Sequence, residues 1–216
     1  MKYIKKSQEP SSLTQWKQEL GSRTPDWKSF SQPVKNEVYQ SLLQEQGYIC
    51  CYCSRPISRQ NCHIEHFKPK SVYRNLTFDY TNLIASCQGE DENKPRVPVH
   101  CGHTKGAWFD EELMVSPLDP NCEDFFKYSG FGEILPTDDL DKQAAAKTTI
   151  EKLALDINKL RKLRRVAIDT VLQTVQDLTD AEIQQFAQAY QQLDSERRYT
   201  PFCDVIVYTL KQYFFA

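Results

Sequence analysis

Between Cys50 and Gly106 the chain gathers six of its eight cysteines, Cys50, Cys51, Cys53, Cys62, Cys87 and Cys101. All four histidines, His63, His66, His100 and His103, lie in the same stretch. No other feature of the 216 residues narrows the possible folds so much. Thiols and imidazoles gathered this tightly point to metal.

Tyr48-Ile49-Cys50-Cys51-Tyr52-Cys53-Ser54-Arg55-Pro56-Ile57 has the composition of a knuckle. A strand end delivers one thiolate, a tight turn follows, and a second thiolate arrives three positions on. The spacing of Cys50 and Cys53 suits chelation of one tetrahedral Zn²⁺. Cys87 and Cys101 supply a second pair, after 33 intervening residues and with 13 between them. The expected structural zinc set is therefore Cys50, Cys53, Cys87 and Cys101. The alternatives are His100 or Cys51 in place of one of the four, or four buried free thiols. The stretch 88–100 is polar and contains proline, as an inserted loop would. Cys62, Cys122 and Cys203 lack a partner at metal spacing and read as packing residues or incidental thiols.

Glu65-His66 carries the expected chemistry. At a strand end a carboxylate can bind a divalent metal while the adjacent imidazole faces the other side of a cleft. A neutral imidazole is suited to deprotonating water near pH 7. A hard ion such as Mg²⁺ or Mn²⁺ would offset charge on a scissile phosphate. His103 is the candidate second protein ligand of that metal. His63 is a weaker third, because two positions along a strand place it on the face of Glu65. Asn82 is expected to hydrogen-bond the backbone or ring of His66 and set its orientation; otherwise it is an ordinary cap. Pro69 ends the strand, and Lys68, Lys70, Arg74 and Lys105 are the candidate phosphate contacts.

Net charge is only −2, so a nucleic-acid surface must be a local patch or be completed by a partner. The apolar fraction of 40% and charged fraction of 26% are those of an ordinary soluble protein. Met1-Lys2-Tyr3-Ile4-Lys5-Lys6 precedes no apolar run, and no run approaches a membrane span. The expected compartment is the cytoplasm, where thiols stay reduced and eight cysteines argue for metal over disulfides.

Leu13, Trp16 and Leu20 share a helical face that Gly21 ends, and Lys35 to Gln46 reads as a second helix with Val38 and Leu42 inward. Trp16 and Trp27 read as caps of a small core or as interface anchors. Phe125–Tyr128 and Glu133–Leu135 flank Ser129-Gly130-Phe131-Gly132, a hairpin signal. Three helices are expected beyond it. One runs through Leu153, Ile157, Leu160, Leu163, Ala167 and Val171. The second follows the capping box at Thr179, and the third starts at Thr200-Pro201. Lys159, Arg161, Lys162, Arg164 and Arg165 could track a phosphate backbone or form a solvated face.

Taken together, Cys-x-x-Cys, Glu-His-Phe-x-Pro, Asn-Leu, Cys and Cys-Gly-His-x-Lys-Gly resemble the HNH (ββα-metal) endonucleases. The resemblance implies Glu65 as metal-binding acid, His66 as general base and Asn82 as central asparagine. Gly102 departs from the pattern, standing where Asn or His is usual, with His103 one place later. Gln46–Cys53, Ile64–Lys70, Ser116–Glu123 and the opening residues are similar to the HNH effector of Septu-type and retron-associated anti-phage systems. That resemblance implies an ABC/SMC-like ATPase partner, and in retron systems a reverse transcriptase with its RNA–DNA product.

The expected fold class is α+β, a zinc-stapled ββα-metal core with helical flanks. Residues 1–47 form an N-terminal helical, partner-docking segment, 48–135 the nuclease core, and 136–216 a C-terminal helical region. The expected function is metal-dependent hydrolysis of nucleic-acid phosphodiesters, on phage DNA by default or on tRNA or another RNA. The competing readings are a non-catalytic zinc module that binds nucleic acid or protein, and a zinc hydrolase. The sequence has no His-Glu-x-x-His helix to favour the latter.

Overall fold

The computed structural model describes residues 1–21, 23, 25–89 and 98–215. The described residues form a mixed fold of seven α-helices and two antiparallel sheets of two strands each. Two helices, α1 (Ser11–Leu20) and α2 (Gln32–Glu45), lead to the knuckle. The first sheet pairs β1 (Cys62–His66) with β2 (Leu83–Cys87), in register Cys62↔Cys87 through His66↔Leu83. The four-residue helix α3 (Gly102–Lys105) follows. A hairpin of β3 (Phe126–Tyr128) and β4 (Ile134–Pro136) leads to the C-terminal helices. These are α4 (Leu140–Lys152), α5 (Asn158–Val175), α6 (Asp180–Ala189) and α7 (Cys203–Phe214).

The period of α2 is the one its apolar residues predict, and Val38, Tyr39, Leu42 and Leu43 are buried. Gly47 follows with φ +55°, and a Cβ there would lie 2.5 Å from the Tyr199 ring. Only glycine tolerates both the left-handed backbone and that approach. Beside it, the buried Gln46 amide acts as a bracket. Its Nε2 donates to Ile49 and Ala85 carbonyls at 2.9 Å, and its Oε1 accepts from Ala85 N at 2.6 Å. The end of α2, the knuckle and β2 are thus one hydrogen-bonded unit.

The C-terminal region differs from its sequence reading. The apolar spacing from Leu153 to Val171 belongs to two elements, because the chain turns at Ala154 (φ +48°) between α4 and α5. Leu153 and Leu155 are fully buried in that turn, so tertiary packing overrides the helical period. The Ala-rich α4, with Ala145, Ala146, Thr149 and Ile150 buried, is the fourth helix of the region. The capping box at Thr179–Glu182 is present, and α7 begins at Cys203, two residues past Pro201.

The basic run on α5 is largely used inside the protein. Arg164 is buried and donates to the Gly132 carbonyl at 2.6 Å and the Leu155 carbonyl at 3.0 Å. Arg161 pairs with Asp156 and Arg165 with Asp169. A phosphate track along these five residues is not what the helix presents.

One buried apolar cluster includes Met1, Leu13, Leu42, Ile84, Val115, Ile134, Leu153 and Leu160. Residues from all three sequence stretches therefore share a core. Among the described residues, no helix is long and apolar enough to cross a membrane.

Candidate functional site

The four cysteines selected by spacing converge. The Sγ atoms of Cys50, Cys53, Cys87 and Cys101 all lie within 4.8 Å of one another, and all four residues are buried. Cys50–Cys101 and Cys53–Cys87 are each 3.9 Å apart. Sulfurs on a tetrahedral Zn²⁺ with bonds of about 2.3 Å stand about 3.8 Å apart, so the cluster could hold a zinc ion. The knuckle turn closes with Ser54 N donating to the Cys50 carbonyl at 3.1 Å, and Ser54 takes φ +57°. Cys101 takes φ +59°, which turns the chain into α3. Cys87 N donates to Cys50 Sγ at 3.3 Å, the bond a thiolate accepts. Neighbouring thiols push Cys87 down to about 6, while burial pushes Cys53 and Cys101 up. Four thiols this close do not ionise together without a cation among them.

The two alternatives for that set fall outside it. Cys51 is not among the converging sulfurs, and its backbone N–H donates to the Ala85 carbonyl. His100 is fully buried beside the cluster, with Nδ1 at 3.1 Å from Cys101 Sγ and 3.8 Å from Cys87 Sγ.

Alongside β1 lies a cleft of about 730 Å³. His63 to His66, Lys70, Arg74 and Thr77 line one wall, and Trp27 and His103 complete it. His66 Nε2 stands 3.0 Å from the Thr77 carbonyl oxygen. A carbonyl only accepts, so the neutral ring carries its proton on Nε2 and its lone pair on Nδ1. Burial and the Lys70 ammonium push His66 down to about 4, which keeps the imidazole neutral at pH 7. The Trp27 ring packs edge-on against it, with centroids 4.5 Å apart.

Glu65 is held at both oxygens. Oε1 accepts from Lys105 Nζ at 2.7 Å, with the Tyr52 hydroxyl at 3.4 Å, and Oε2 lies 3.3 Å from His63 Nε2. Burial pushes this carboxyl up, but the His63 contact and the Lys105 ammonium outweigh it and hold it below its ordinary value. His63 Nδ1 is buried without a hydrogen-bond partner.

No protein-family model matches this chain. A candidate HNH endonuclease of retron Vc95 from Vibrio cholerae serotype O1 biovar El Tor is 32% identical over 146 residues, which cover 65% of this chain and 68% of that protein. The chain belongs to the retron HNH endonuclease family. A candidate HNH endonuclease of retron Ec83 from Escherichia coli is 28% identical over 203 residues, covering 76% of this chain and 78% of that protein.

In this HNH chain the departure at Gly102 has a steric cause. A Cβ at Gly102 would meet both Glu65 Oε2 and His63 Nε2, so no side chain fits beside that carboxylate. The neighbouring imidazoles take the space. The His63 and His103 rings lie 4.5 Å apart, and His103 Nε2 is 2.8 Å from Gln88 Oε1.

Several expected contacts are made differently. Asn82 does not bond His66. Its Oδ1 accepts from Lys68 N at 2.7 Å, and its Nδ2 donates to the Lys68 and Leu76 carbonyls. It therefore ties together the chain at Lys68 and at Leu76, which follows His66 and leads to the Thr77 carbonyl that holds the ring. Lys105 is not at the surface to meet phosphate. Its ammonium is fully buried, committed to Glu65 and to the His66 carbonyl at 2.9 Å. Lys68 pairs with Glu111 at 2.7 Å. Lys70 and Arg74 do line the cleft. The loop expected at 88–100 falls largely outside the described residues, at 90–97. Trp27, Tyr52 and Thr77 were not singled out as site residues. Only the turn Pro25-Asp26 before Trp27 and the aromatic inside the knuckle hinted at two of them.

Proposed function

We propose that this chain is a metal-dependent HNH endonuclease hydrolysing phosphodiester bonds, with β1, β2 and α3 as its ββα-metal core. The observation that carries the reading is the His66 ring. Its Nε2 is tied to Thr77 O, which leaves the lone pair on Nδ1, and His66 and the oriented Glu65 both line the cleft.

In this reading His66 takes the proton from water at Nδ1, and the water attacks phosphorus in line. The Nε2–H···O=C bond keeps the ring in the competent tautomer. Asn82 holds the chain that carries it. Arg74 orients the scissile phosphate, and Lys70 and Lys68 meet the backbone beside it.

Glu65, His63 and His103 would hold the catalytic metal. Two observations support that fit. The 3.3 Å between Glu65 Oε2 and His63 Nε2 is long for a charge-assisted hydrogen bond, yet suits two ligands of one ion with bonds of about 2.0–2.1 Å. Gly102 also keeps that flank free of any side chain. When bound, the ion would stabilise charge on the phosphate and the departing 3′ oxygen. Two imidazoles and a carboxylate suit Mn²⁺ better than Mg²⁺. Lys105 and Tyr52 hold Oε1 so that Oε2 stays turned to His63. Cys50, Cys53, Cys87 and Cys101 carry structural Zn²⁺.

The sequence resemblance and the retron names of the relatives support a further proposal. The chain is the toxic effector of an anti-phage complex in the cytoplasm, working with an ABC/SMC-like ATPase and with a reverse transcriptase and its RNA–DNA product. Residues 1–47 are proposed to dock partners, 48–135 to cut, and 136–216 to support the core.

The test is cleavage of plasmid DNA and total tRNA by the wild type and His66→Ala, with Mg²⁺ or Mn²⁺, with and without the ATPase. Zinc content is measured in parallel. Loss of cleavage at unchanged zinc supports the nuclease and names the substrate. Equal behaviour of the two proteins under every condition moves the assignment to a zinc-stapled binding module.

A further inference from the structure

Beside His66, two lysines converge on the Trp27 ring that lines the cleft. Lys35 Nζ of α2 lies 5.2 Å from the centroid of the Trp27 ring, and Lys70 Nζ lies 5.7 Å from the same centroid. The two lysines, one from α2 and one from the segment after β1, converge on one indole. Neither is in an ion pair with a carboxylate among the described residues. Asp26, which also lines the cleft, accepts from Lys28 N in its own turn. Arg59 stands nearby, over the Tyr39 ring at 3.8 Å and donating to Asn36 Oδ1 at 3.2 Å. Lys35 is half-buried, and burial together with the Arg59 and Lys70 charges lowers its affinity for a proton.

Like charges brought together without a counter-charge repel, and a bound anion relieves them. The support beneath them is rigid. Trp27 stacks on Phe78 with centroids 5.6 Å apart and an interplanar angle of 27°, and it packs against Phe30 at 5.2 Å. Trp16 braces Phe30 and Phe78, each at 4.9 Å. The indole that carries the two ammonium groups is also the one whose edge touches His66.

We infer that Lys35 and Lys70, mounted on Trp27, form a subsite for a backbone phosphate adjacent to the scissile one. The ligand is the phosphodiester backbone of the nucleic-acid substrate. The N-terminal segment, through Trp27 and Lys35, thereby builds one wall of the substrate cleft. This inference rests on the endonuclease reading, which assigns the cleft to nucleic acid. Lys35 and Trp27 act here as positioning residues, because the chemistry stays with His66.

The experiment measures binding apart from cleavage. Fluorescein-labelled oligonucleotides of one length, as single-stranded DNA, duplex DNA and RNA, are titrated with the full-length His66→Ala protein at several salt concentrations. Lys35→Gln, Lys35→Arg and the nearby control Lys28→Gln are made in that background, with zinc content and circular dichroism checked. Losing one phosphate contact should lower the slope of log K against log salt by about 0.9 on duplex DNA and about 0.7 on a single strand. The expected result is that loss for Lys35→Gln, its restoration in Lys35→Arg, and an unchanged slope in Lys28→Gln. The arm with the largest change identifies the backbone. In otherwise wild-type protein, Lys35→Gln should raise KM and leave kcat at saturation unchanged. An unaltered slope in every arm for Lys35→Gln overturns the subsite, as does an equal loss in Lys28→Gln. If the wild type cleaves nothing while Lys35→Gln still loses its slope, the endonuclease reading fails and the subsite stands.

Discussion

Gly102 and Glu65 approach so closely that a Cβ on the glycine would stand 2.6 Å from Glu65 Oε2. It would also stand 2.7 Å from His63 Nε2. A side chain at position 102 could be accommodated only by moving the Glu65 carboxylate or the His63 ring.

Gly102→Ala is therefore expected to displace Glu65 while leaving the distant core intact. Misplacing a catalytic group by about 1 Å can cost on the order of 100-fold in rate. Cleavage should fall by about that factor, with zinc content and melting temperature near wild type. Full activity in Gly102→Ala would remove Glu65 Oε2 from the proposed metal site.

Lys105→Met keeps the length of the side chain but deletes its charge. Glu65 would then be buried without its cation, and breaking a buried pair of this kind costs about 3–5 kcal/mol. The expected outcome is a lower melting temperature together with loss of cleavage. A stable, active Lys105→Met protein would mean that Tyr52 and His63 suffice to hold Glu65.

Cys53→Ser should unfold or loosen the protein, since metal binding at a four-thiolate centre is folding free energy. Metal analysis should find about one zinc less per chain, and a strong chelator should lower the wild-type melting temperature. A soluble, fully stable, zinc-free Cys53→Ser protein would refute the structural zinc.

Asp204 forms a buried ion pair with the Met1 ammonium and accepts from the Tyr128 hydroxyl at 3.0 Å. Burial opposes both charges, but each partner holds the other charged, so Asp204 is lowered from 3.8 and the Met1 amine raised from 8.0. The carboxylate's stabilisation is present above 3.8 and lost as pH falls through its lowered value. The amine's is present below 8.0 and lost as pH rises through its raised value. Thermal melts of wild type and Asp204→Asn should differ most between these two values and converge outside them. A difference independent of pH would assign the effect to Tyr128 alone.

The legible parts of this protein are those whose cause is local. Cys50 and Cys53 bring their sulfurs together across one turn, α2 buries residues set by its own period, and Thr179 caps with a glutamate three positions on. Glu65 and His63 share a face because strand geometry alternates. What the sequence could not show depends on partners far along the chain. Lys105 reads from the sequence as a phosphate contact, and only β1, 40 residues earlier, turns it inward. Asn82 bonds the Lys68 backbone, 14 positions away, and the carbonyl of Thr77 holds the His66 ring instead. The Leu153–Ile157–Leu160 spacing read as one helix because burial at a tight turn leaves the same apolar pattern as a helix face.

That tight turn also reaches the four-cysteine cluster, for Cys101 N donates to the Leu153 carbonyl at 2.8 Å. The residue that aims one sulfur is thereby pegged to a bend 52 positions downstream. A protein so pegged has little freedom to change length at residues 153–157, since one added residue would carry the carbonyl away from Cys101. A scan of single-residue insertions should find this bend as intolerant as the Cys50–Cys53 knuckle, although it carries no ligand and lies far from it in sequence. Natural length variation in the family should avoid it for the same reason.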